Sequence, residues 1–341
     1  MLSGFMTSEM QKEIREFDTV DTSVIDPYTQ KRETVLTPIC KPQNFGKNMC
    51  IDDKNLGDYG FTIMSNLDTG KIAFMIQTRK AKIISEVIDR YIPIGISSQV
   101  EVLTKDLAAG YERVKKECFI RATGVADKFH VIKLGIQAIS DLRVKYRQEE
   151  LTSERIRQEA HKCNEAANRE SLEKNKTENN KKYKLKKCPP AQRMSNGETV
   201  LQILAASNRA LSQLPSKWGK NMKKRIKILF KMFPDLQKIH AFICDFRGIY
   251  DVKEFGEKAM DTAQESIEKW LKKVGASEIS ELQNFAFTVT KHKGNILSYF
   301  KIGKTNAYAE SLNAKLQRFL RNNFGIKNLD FFLWRIKKNF S

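Results

Sequence analysis

Acids are the minority charge in this chain. Against 60 Lys and Arg stand 40 Asp and Glu, a formal net charge of +20 over 341 residues. Several other things are missing. No two of the six cysteines (Cys40, Cys50, Cys118, Cys163, Cys188 and Cys244) form a C-x2-C pair, which argues against a zinc ribbon. Their scatter, with no export signal in view, predicts free thiols in a reducing cytoplasm. No apolar run approaches the roughly 18–20 residues of a membrane-spanning helix, so no membrane partner is expected. Neither G-x-G-x-x-G nor a P-loop occurs, which removes the usual glycine-rich phosphate cradles. There is no internal repeat.

What remains is ordinary in bulk: 41% hydrophobic and 29% charged residues, as in globular proteins. The length allows two domains, or one large domain with an insertion. The charge excess favours a polyanionic partner, nucleic acid first, and says nothing about fold.

Residues 1–45 are polar and weakly patterned and suggest an N-terminal arm. Residues 46–148 have α/β character. "MCID" (49–52) is a short apolar strand ending in acids. "YGFTIMSN" (59–66) and "KIAFMIQT" (71–78) flank the turn residues Asp68, Thr69 and Gly70, as in a hairpin. "KAKIISEVIDRY" (80–91) places Ile83, Ile84, Val87 and Ile88 on one helical face. "SQVEVLTKD" (98–106) alternates as a strand and ends in another acid. A short helix, a strand over "CFIRATG" and a long helix over 126–148 follow. The hairpin start predicts a mixed sheet rather than a doubly wound one. Residues 149–197 are densely charged, which suits a solvated helix or a partly disordered insert. Residues 198–300 read as a helical insertion, and 301–341 as further helices.

Two acids end strands: Asp52 the first and Asp106 the fourth. A third, Glu310, lies in "TNAYAESLNAKLQRF" (305–319), where Ala309, Leu312, Leu316 and Phe319 share a helical face. An acid near a helix N-terminus is favoured by the dipole, by about 0.3–1 kcal/mol, and that alone would account for Glu310. A capping box would not, because the box position falls on Ala309 when Asn306 is the N-cap. The other explanation is a metal site. Two Mg²⁺ about 3.5–4 Å apart can activate one oxygen and steady another in phosphodiester attack, and carboxylates are the ligands such hard cations take. Asp53 adjoins Asp52, but strand alternation turns it to the opposite face.

Four stretches resemble the DDE-class insertion-sequence transposases of the ISL-three type, particularly their two-reading-frame branch. They are "MCIDDKNLGDYGFTIMSNLDTGK", "VEVLTKDLAAGYERV", "ATGVADKFHVIKL" and "ILSYFKIGKTNAYAESLNAKLQRFLRNNFGIKNLDFFLWRIK". They occur in family order from about residue 45 to the end. The resemblance implies an α/β, RNase H-like mixed sheet with a large helical insertion before the last catalytic helix. It implies metal-dependent cleavage and joining of DNA, with Asp52, Asp106 and Glu310 as catalytic ligands of two Mg²⁺ (or Mn²⁺) ions. Asp127, His130, Asn306 and Asn313 fall on its supporting positions. His130 would lie near the acids, contact DNA or be a buried structural histidine. Asn306 would cap the helix or contact DNA, and Asn313 would orient Glu310. Lys315, Arg318, Arg321, Lys223, Lys224 and Lys227 are candidate DNA contacts. Phe129, Phe319 and Trp334 are expected in the core, and Cys50 as packing.

The branch also implies a separate DNA-recognition protein, since the first acid comes too early for a preceding zinc and helix-turn-helix region. Element ends and target DNA would be the other partners. A homo-oligomer and a nucleoid-associated place in a prokaryotic cytoplasm are further expectations. Two alternatives stay open: an inactive or domesticated nucleic-acid-binding protein, and an RNase H-like nuclease without joining activity.

Overall fold

The structure, a computed structural model, describes residues 18–174, 186–303, 307–322 and 328–341; at 18, 172–174, 307–310 and 313 it describes the backbone alone. Glu310 and Asn313 therefore have a described backbone but no described side chain, and Asn306 lies outside the described residues.

The segment expected to be an arm forms a hairpin. β1 (Asp18–Ile25) pairs antiparallel with β2 (Arg32–Thr37). Val20, Thr22 and Val35 are buried while their neighbours along the strands alternate outward. The turn between them is set by Asp26, whose Oδ1 accepts from the amides of Tyr28 (2.9 Å) and Thr29 (2.7 Å), an aspartate-led turn.

A six-stranded sheet follows, made of β3 (Ile39–Cys40), β4 (Asn48–Leu56), β5 (Tyr59–Asn66), β6 (Ile72–Ile76), β7 (Val102–Lys105) and β8 (Thr123–Ala126). Its order is β3-β6-β5-β4-β7-β8. β4, β5 and β6 are antiparallel neighbours, whereas β4–β7 and β7–β8 are parallel. The β5–β6 turn closes where anticipated: Asn66 Oδ1 accepts from the amides of Asp68 and Thr69, and Gly70 adopts φ +71, a conformation glycine takes without a Cβ penalty. The strands expected to come first and fourth, β4 and β7, thus lie side by side.

Both faces of this sheet are covered. Helices α1 (Ala81–Tyr91), α2 (Ile94–Ser97) and α3 (Ala109–Cys118) follow β6 and β7. Met49, Ile51, Met64 and Phe74 pack on one face with Ile83, Ile84, Val87 and Ile88 of α1 and Tyr111 and Val114 of α3. Val20 and Val35 of the hairpin join this cluster, and Glu86 of α1 accepts from Ser23 N at 2.8 Å. The next helices are α4 (Lys128–Lys174), α5 (Val200–Ala206), α6 (Asn208–Leu211), α7 (Lys220–Met232), α8 (Pro234–Ile249), α9 (Glu257–Gly275), α10 (Ser280–Lys291), α11 (Lys293–Ile302), α12 (Ala307–Asn322) and α13 (Leu329–Phe340). On the second sheet face Leu56, Phe61, Ile63 and Met75 pack with Leu312 and Leu316 of α12 and Phe332, Leu333 and Ile336 of α13. Sheet positions covered on both sides explain why every residue of β6 is buried. A mixed sheet followed by many helices is consistent with an RNase H-like α/β fold.

The chain divides into two compact units. One comprises residues up to 131 with 250–266 and 289–341; the other comprises 132–249 and 267–288. The second is helical. Its core gathers Leu142, Ile239, Ile243, Phe246, Ile267, Trp270, Leu282 and Phe285. Phe246 packs tilted against Trp270 with ring centroids 4.8 Å apart, and Trp270 Nε1 donates to Phe242 O. α4 runs unbroken through the charged segment as far as Lys174. Its outer half is exposed at most positions, as expected of a solvated helix with few apolar residues.

Candidate active site

The parallel strands bring acids to one level. In the β4–β7–β8 ladder Cys50 pairs with Thr104 and Thr104 with Val125; Ile51 pairs with Lys105 and Lys105 with Ala126. One residue further along each strand stand Asp52, Asp106 and Asp127. Adjacent parallel strands lie about 4.8 Å apart, so the three acids occupy neighbouring positions: Asp106 and Asp127 stand just past the ends of β7 and β8, whereas Asp52, expected to end its strand, lies in the middle of β4, which runs on to Leu56 along β5. Their convergence is felt by one thiol. The buried Cys50 is pushed well above its ordinary value, first by burial and then by the charges of Asp52, Asp127 and Asp106. Among the described residues all six cysteines are free.

Each acid is held differently. Asp52 is half-buried, and its Oδ1 accepts from the Asp53 amide at 2.8 Å. By alternation it shares a sheet face with Leu56, the face that α12 and α13 cover. Asp106 Oδ1 accepts from Ala108 N at 2.8 Å, which turns the chain from β7 into α3. Burial raises the Asp106 carboxyl, with the charges of Asp53 and Asp52 adding, against the Ala108 hydrogen bond and His130. Asp127 is 3% exposed and has both oxygens engaged: Oδ1 accepts from Phe129 N at 3.0 Å, and Oδ2 lies 2.6 Å from His130 Nδ1. It caps the start of α4. His130 is raised above its ordinary value, first by that bond to Asp127, against burial, and further by the charges of Asp127, Asp52 and Asp106.

Asp53 turns the other way. It accepts from the Tyr111 hydroxyl of α3 and from Thr62 Oγ1 (3.1 Å), and its Oδ2 lies 3.4 Å from Arg79 Nε. Burial and the Asp53 bond push the Tyr111 phenol far up. Phe129, expected in the core, is 53% exposed. It lies two residues after the buried Asp127 and two before the buried Val131, so the 100° helical step carries it to the opposite side. Phe319 packs at the edge of the α12–α13 cluster, and Trp334 is half-buried.

α12, which carries Glu310 in its second turn, crosses β4: Leu312 and Leu316 are buried in the sheet cluster, and Gln317 Nε2 donates to Asn55 O at 3.4 Å. Lys315, Arg318 and Arg321 are exposed along it. Among the described residues, no three acids, histidines or cysteines form a ready metal-binding group.

Comparison with known families decides the class. The model of the ISL3 DDE transposases, described as "Transposase", matches residues 49–336. This chain belongs to that family. No curated protein and no solved structure matches it. The matched span runs from the strand bearing Asp52 to α13. Members of this class generally use divalent metal ions, and the donor chemistry fits. Asp52 and Asp106 are hard oxygen donors of the kind such cations take, and a cation beside Asp106 would offset the burial that chiefly raises its carboxyl. No described helix is long and apolar enough to cross a membrane.

The helical unit carries a separate feature. α7 holds Lys220, Lys223, Lys224, Arg225, Lys227 and Lys231 and no acid. Lys220, Lys224, Lys227 and Lys231 are exposed, at helical spacing along one stripe. Three of them line an open groove of about 1020 Å³ with Ser195, Asn196 and Asn221. Arg225 is turned aside by Glu198, whose Oε2 accepts from its Nε at 2.8 Å. Lys220 and Lys223 near its start oppose the helix dipole, whereas Lys231 in the last turn favours it.

Proposed function

We propose that the chain is the catalytic subunit of an insertion-sequence transposase that cleaves element ends and joins them to target DNA. The observation that carries this is the register that sets Asp52, where β4 leaves its ladder with β7, beside Asp106, just past the end of β7, within a chain of the ISL3 family. Asp52, Asp106 and Glu310 would hold two Mg²⁺ (or Mn²⁺) ions. When bound, such a pair activates the attacking oxygen and stabilises the leaving oxygen of a phosphodiester.

The chain's own groups support that chemistry. The Ala108 amide fixes the Asp106 carboxylate, and the Asp53 amide fixes that of Asp52. Asp127 holds the His130 ring through Nδ1 and favours its protonated form. With both oxygens engaged, Asp127 serves His130 and α4 rather than a metal. Glu310 shares a helical stripe with Gln317, seven residues on and about 10.5 Å along the axis, and Gln317 reaches β4. Asn313 lies on the same stripe and would orient Glu310, while Asn306 would cap the helix. DNA would run along Lys315, Arg318 and Arg321 on α12 and, in the helical unit, along Lys223, Lys224 and Lys227. Pairing as a homo-oligomer and a separate protein that recognises the element ends complete the proposal.

The test is Mg²⁺- or Mn²⁺-dependent nicking and joining of a labelled element end, with the recognition partner supplied. Asp52→Ala, Asp106→Ala and Glu310→Ala each abolish cleavage and leave DNA binding. DNA binding without cleavage by the wild type would mark an inactive nucleic-acid-binding protein. Nicking without joining would mark a plain nuclease.

A further inference from the structure

Lys105, the last residue of β7, is fully buried. Its ammonium lies 2.9 Å from Glu112 Oε2 on α3. The same oxygen accepts from Asn295 Nδ2 on α11 at 3.2 Å, and the other Glu112 oxygen lies 3.9 Å from Lys116. Burial pushes the Glu112 carboxyl up, but Lys105, Asn295 and Lys116 outweigh it and hold it below its ordinary value. Gly124 on β8 keeps the space open: a Cβ there would stand 3.0 Å from Asn295 Oδ1 and 3.4 Å from Lys105 Cε.

A buried ammonium needs a reason. An apolar side chain would fill the same volume, and replacing a buried ion pair in that way is often neutral or stabilising. The location supplies the reason. Lys105 is the central rung of the ladder, paired with Ile51 on one side and Ala126 on the other, and its carbonyl accepts from Asp127 N at 2.9 Å. Asp106 is the next residue. Asn295 lies on α11, which ends at a left-handed cap on Gly303 (φ +70). Three elements thus meet at one ion pair directly behind the acid site.

We propose that Lys105, Glu112 and Asn295 form a positioning unit for the acid site. The pair fixes the height at which Asp106 leaves β7, and Asn295 holds α11 to the same point. This rests on the acids being the catalytic site. Such supporting contacts are typically worth about 10–100-fold in metal affinity or activity.

The test uses the full chain with Lys105→Met, Glu112→Leu, Glu112→Gln and Asn295→Ala. Thermal stability and DNA affinity without metal, Mn²⁺ affinity by paramagnetic resonance, and kcat and KM for nicking are measured on each. Lys105→Met and Glu112→Leu should keep DNA affinity and KM, and lose about 10–100-fold in kcat together with Mn²⁺ affinity. Glu112→Gln keeps an acceptor for both partners and should restore most of the kcat. Asn295→Ala leaves the pair intact and should lose part of it. A folded Lys105→Met with kcat and Mn²⁺ affinity within about threefold of wild type would overturn the proposal, since that falls short of a supporting contact's usual worth. If Lys105→Met does not fold, equal kcat for Glu112→Leu, Glu112→Gln and wild type overturns it instead. The two levels separate cleanly. Active Asp52→Ala and Asp106→Ala variants would defeat the acid site itself; dead ones beside a fully active Glu112→Leu would defeat only the positioning unit.

Discussion

Asp52 and Asp53 are adjacent, chemically alike and on opposite sheet faces, so replacing each by alanine should give opposite signatures. Asp53→Ala removes the acceptor of the Tyr111 hydroxyl, on a residue only 3% exposed. Leaving a buried donor unmade costs about 1–3 kcal/mol. Two features pull the figure down. Thr62 Oγ1 lies 3.4 Å from the Tyr111 hydroxyl and can take over as acceptor, while keeping its own bond to Thr78 O at 2.7 Å. The Arg79 pair is half-exposed and is worth about 0–1 kcal/mol. A loss of about 1–2 kcal/mol is therefore expected for Asp53→Ala, with cleavage retained in the folded fraction. Asp52→Ala takes away one of the charges that raise Asp106. Its stability should be unchanged or higher, and its cleavage abolished. Urea denaturation paired with the nicking assay gives both numbers on the same samples. Asp53→Ala that stays folded yet loses cleavage as completely as Asp52→Ala would refute the assignment of faces. Equal destabilisation by both would refute the Tyr111 anchor.

Other expectations can be measured independently. The His130 imidazole, followed by NMR in metal-free protein, should titrate above the ordinary value of 6.5, and Asp127→Asn should bring it down. Because the folded value is the raised one, the stability it contributes is present below 6.5 and lost as pH rises through the folded value; an unshifted titration would exclude the dyad. Replacing Lys220, Lys224, Lys227 and Lys231 of α7 by Gln should flatten log K against log[salt] for duplex DNA by about 0.9 for each phosphate no longer neutralised, with metal-dependent chemistry on saturating DNA preserved. An unchanged slope removes α7 from the DNA path. Gly303→Ala should destabilise by about 1–3 kcal/mol, because φ is +70 and the new Cβ would sit 2.5 Å from Phe255 Cγ; a neutral variant in thermal melts would contradict the left-handed cap of α11 packed on Phe255.

The strands nearest the acids were legible from their apolar runs. "MCID" and "VLTKD" lead up to acids where β4 and β7 stop their shared ladder, but β4 itself runs on to Leu56 because its pairing with β5 continues past Asp52, which the polar residues after it concealed. The β5–β6 turn was legible from Asp68, Thr69 and Gly70, though the side chain that closes it belongs to Asn66, which was not singled out. The N-terminal hairpin was not anticipated, although its signal is present: alternation through Val20, Thr22 and Val24, and an Asp-Pro turn. Charged residues interrupt both strands, so their apolar face is only half as wide as that of β6. The long helix was expected to end near 148; it continues to Lys174 because nothing in the charged segment breaks it, with no Pro or Gly between 136 and 174.

The candidate site divides along a physical line. Residues whose type alone announces chemistry, Asp52, Asp106 and the Asp127–His130 pair, could be named in advance. Residues that act through burial could not. A lysine at a strand end, such as Lys105, carries the same letter whether it is solvated or sealed, and lysines are almost always exposed. Only the meeting of β7, α3 and α11 makes it an interior charge with a partner. Tyr111 is similar: its place on α3 predicts a core aromatic, while its hydroxyl donates to Asp53 on the face away from Asp52. Strand alternation sets the faces of Asp52 and Asp53, and a tyrosine 58 residues away adds an anchor for Asp53. Tyr111→Phe should test that anchor. It keeps the ring in the core, removes the hydroxyl and leaves Asp53 with Thr62 and Arg79. Removing one partner of a hydrogen bond to a charged group costs about 1.5–3 kcal/mol, toward the lower end here because two partners remain. If β4 is held in register by its ladder alone, Tyr111→Phe will show that loss in urea denaturation and full cleavage. If the hydroxyl also keeps Asp53 from rotating toward the acids, cleavage will fall as well, and Tyr111→Phe with Asp53→Ala will regain it, since the competing carboxylate is then gone.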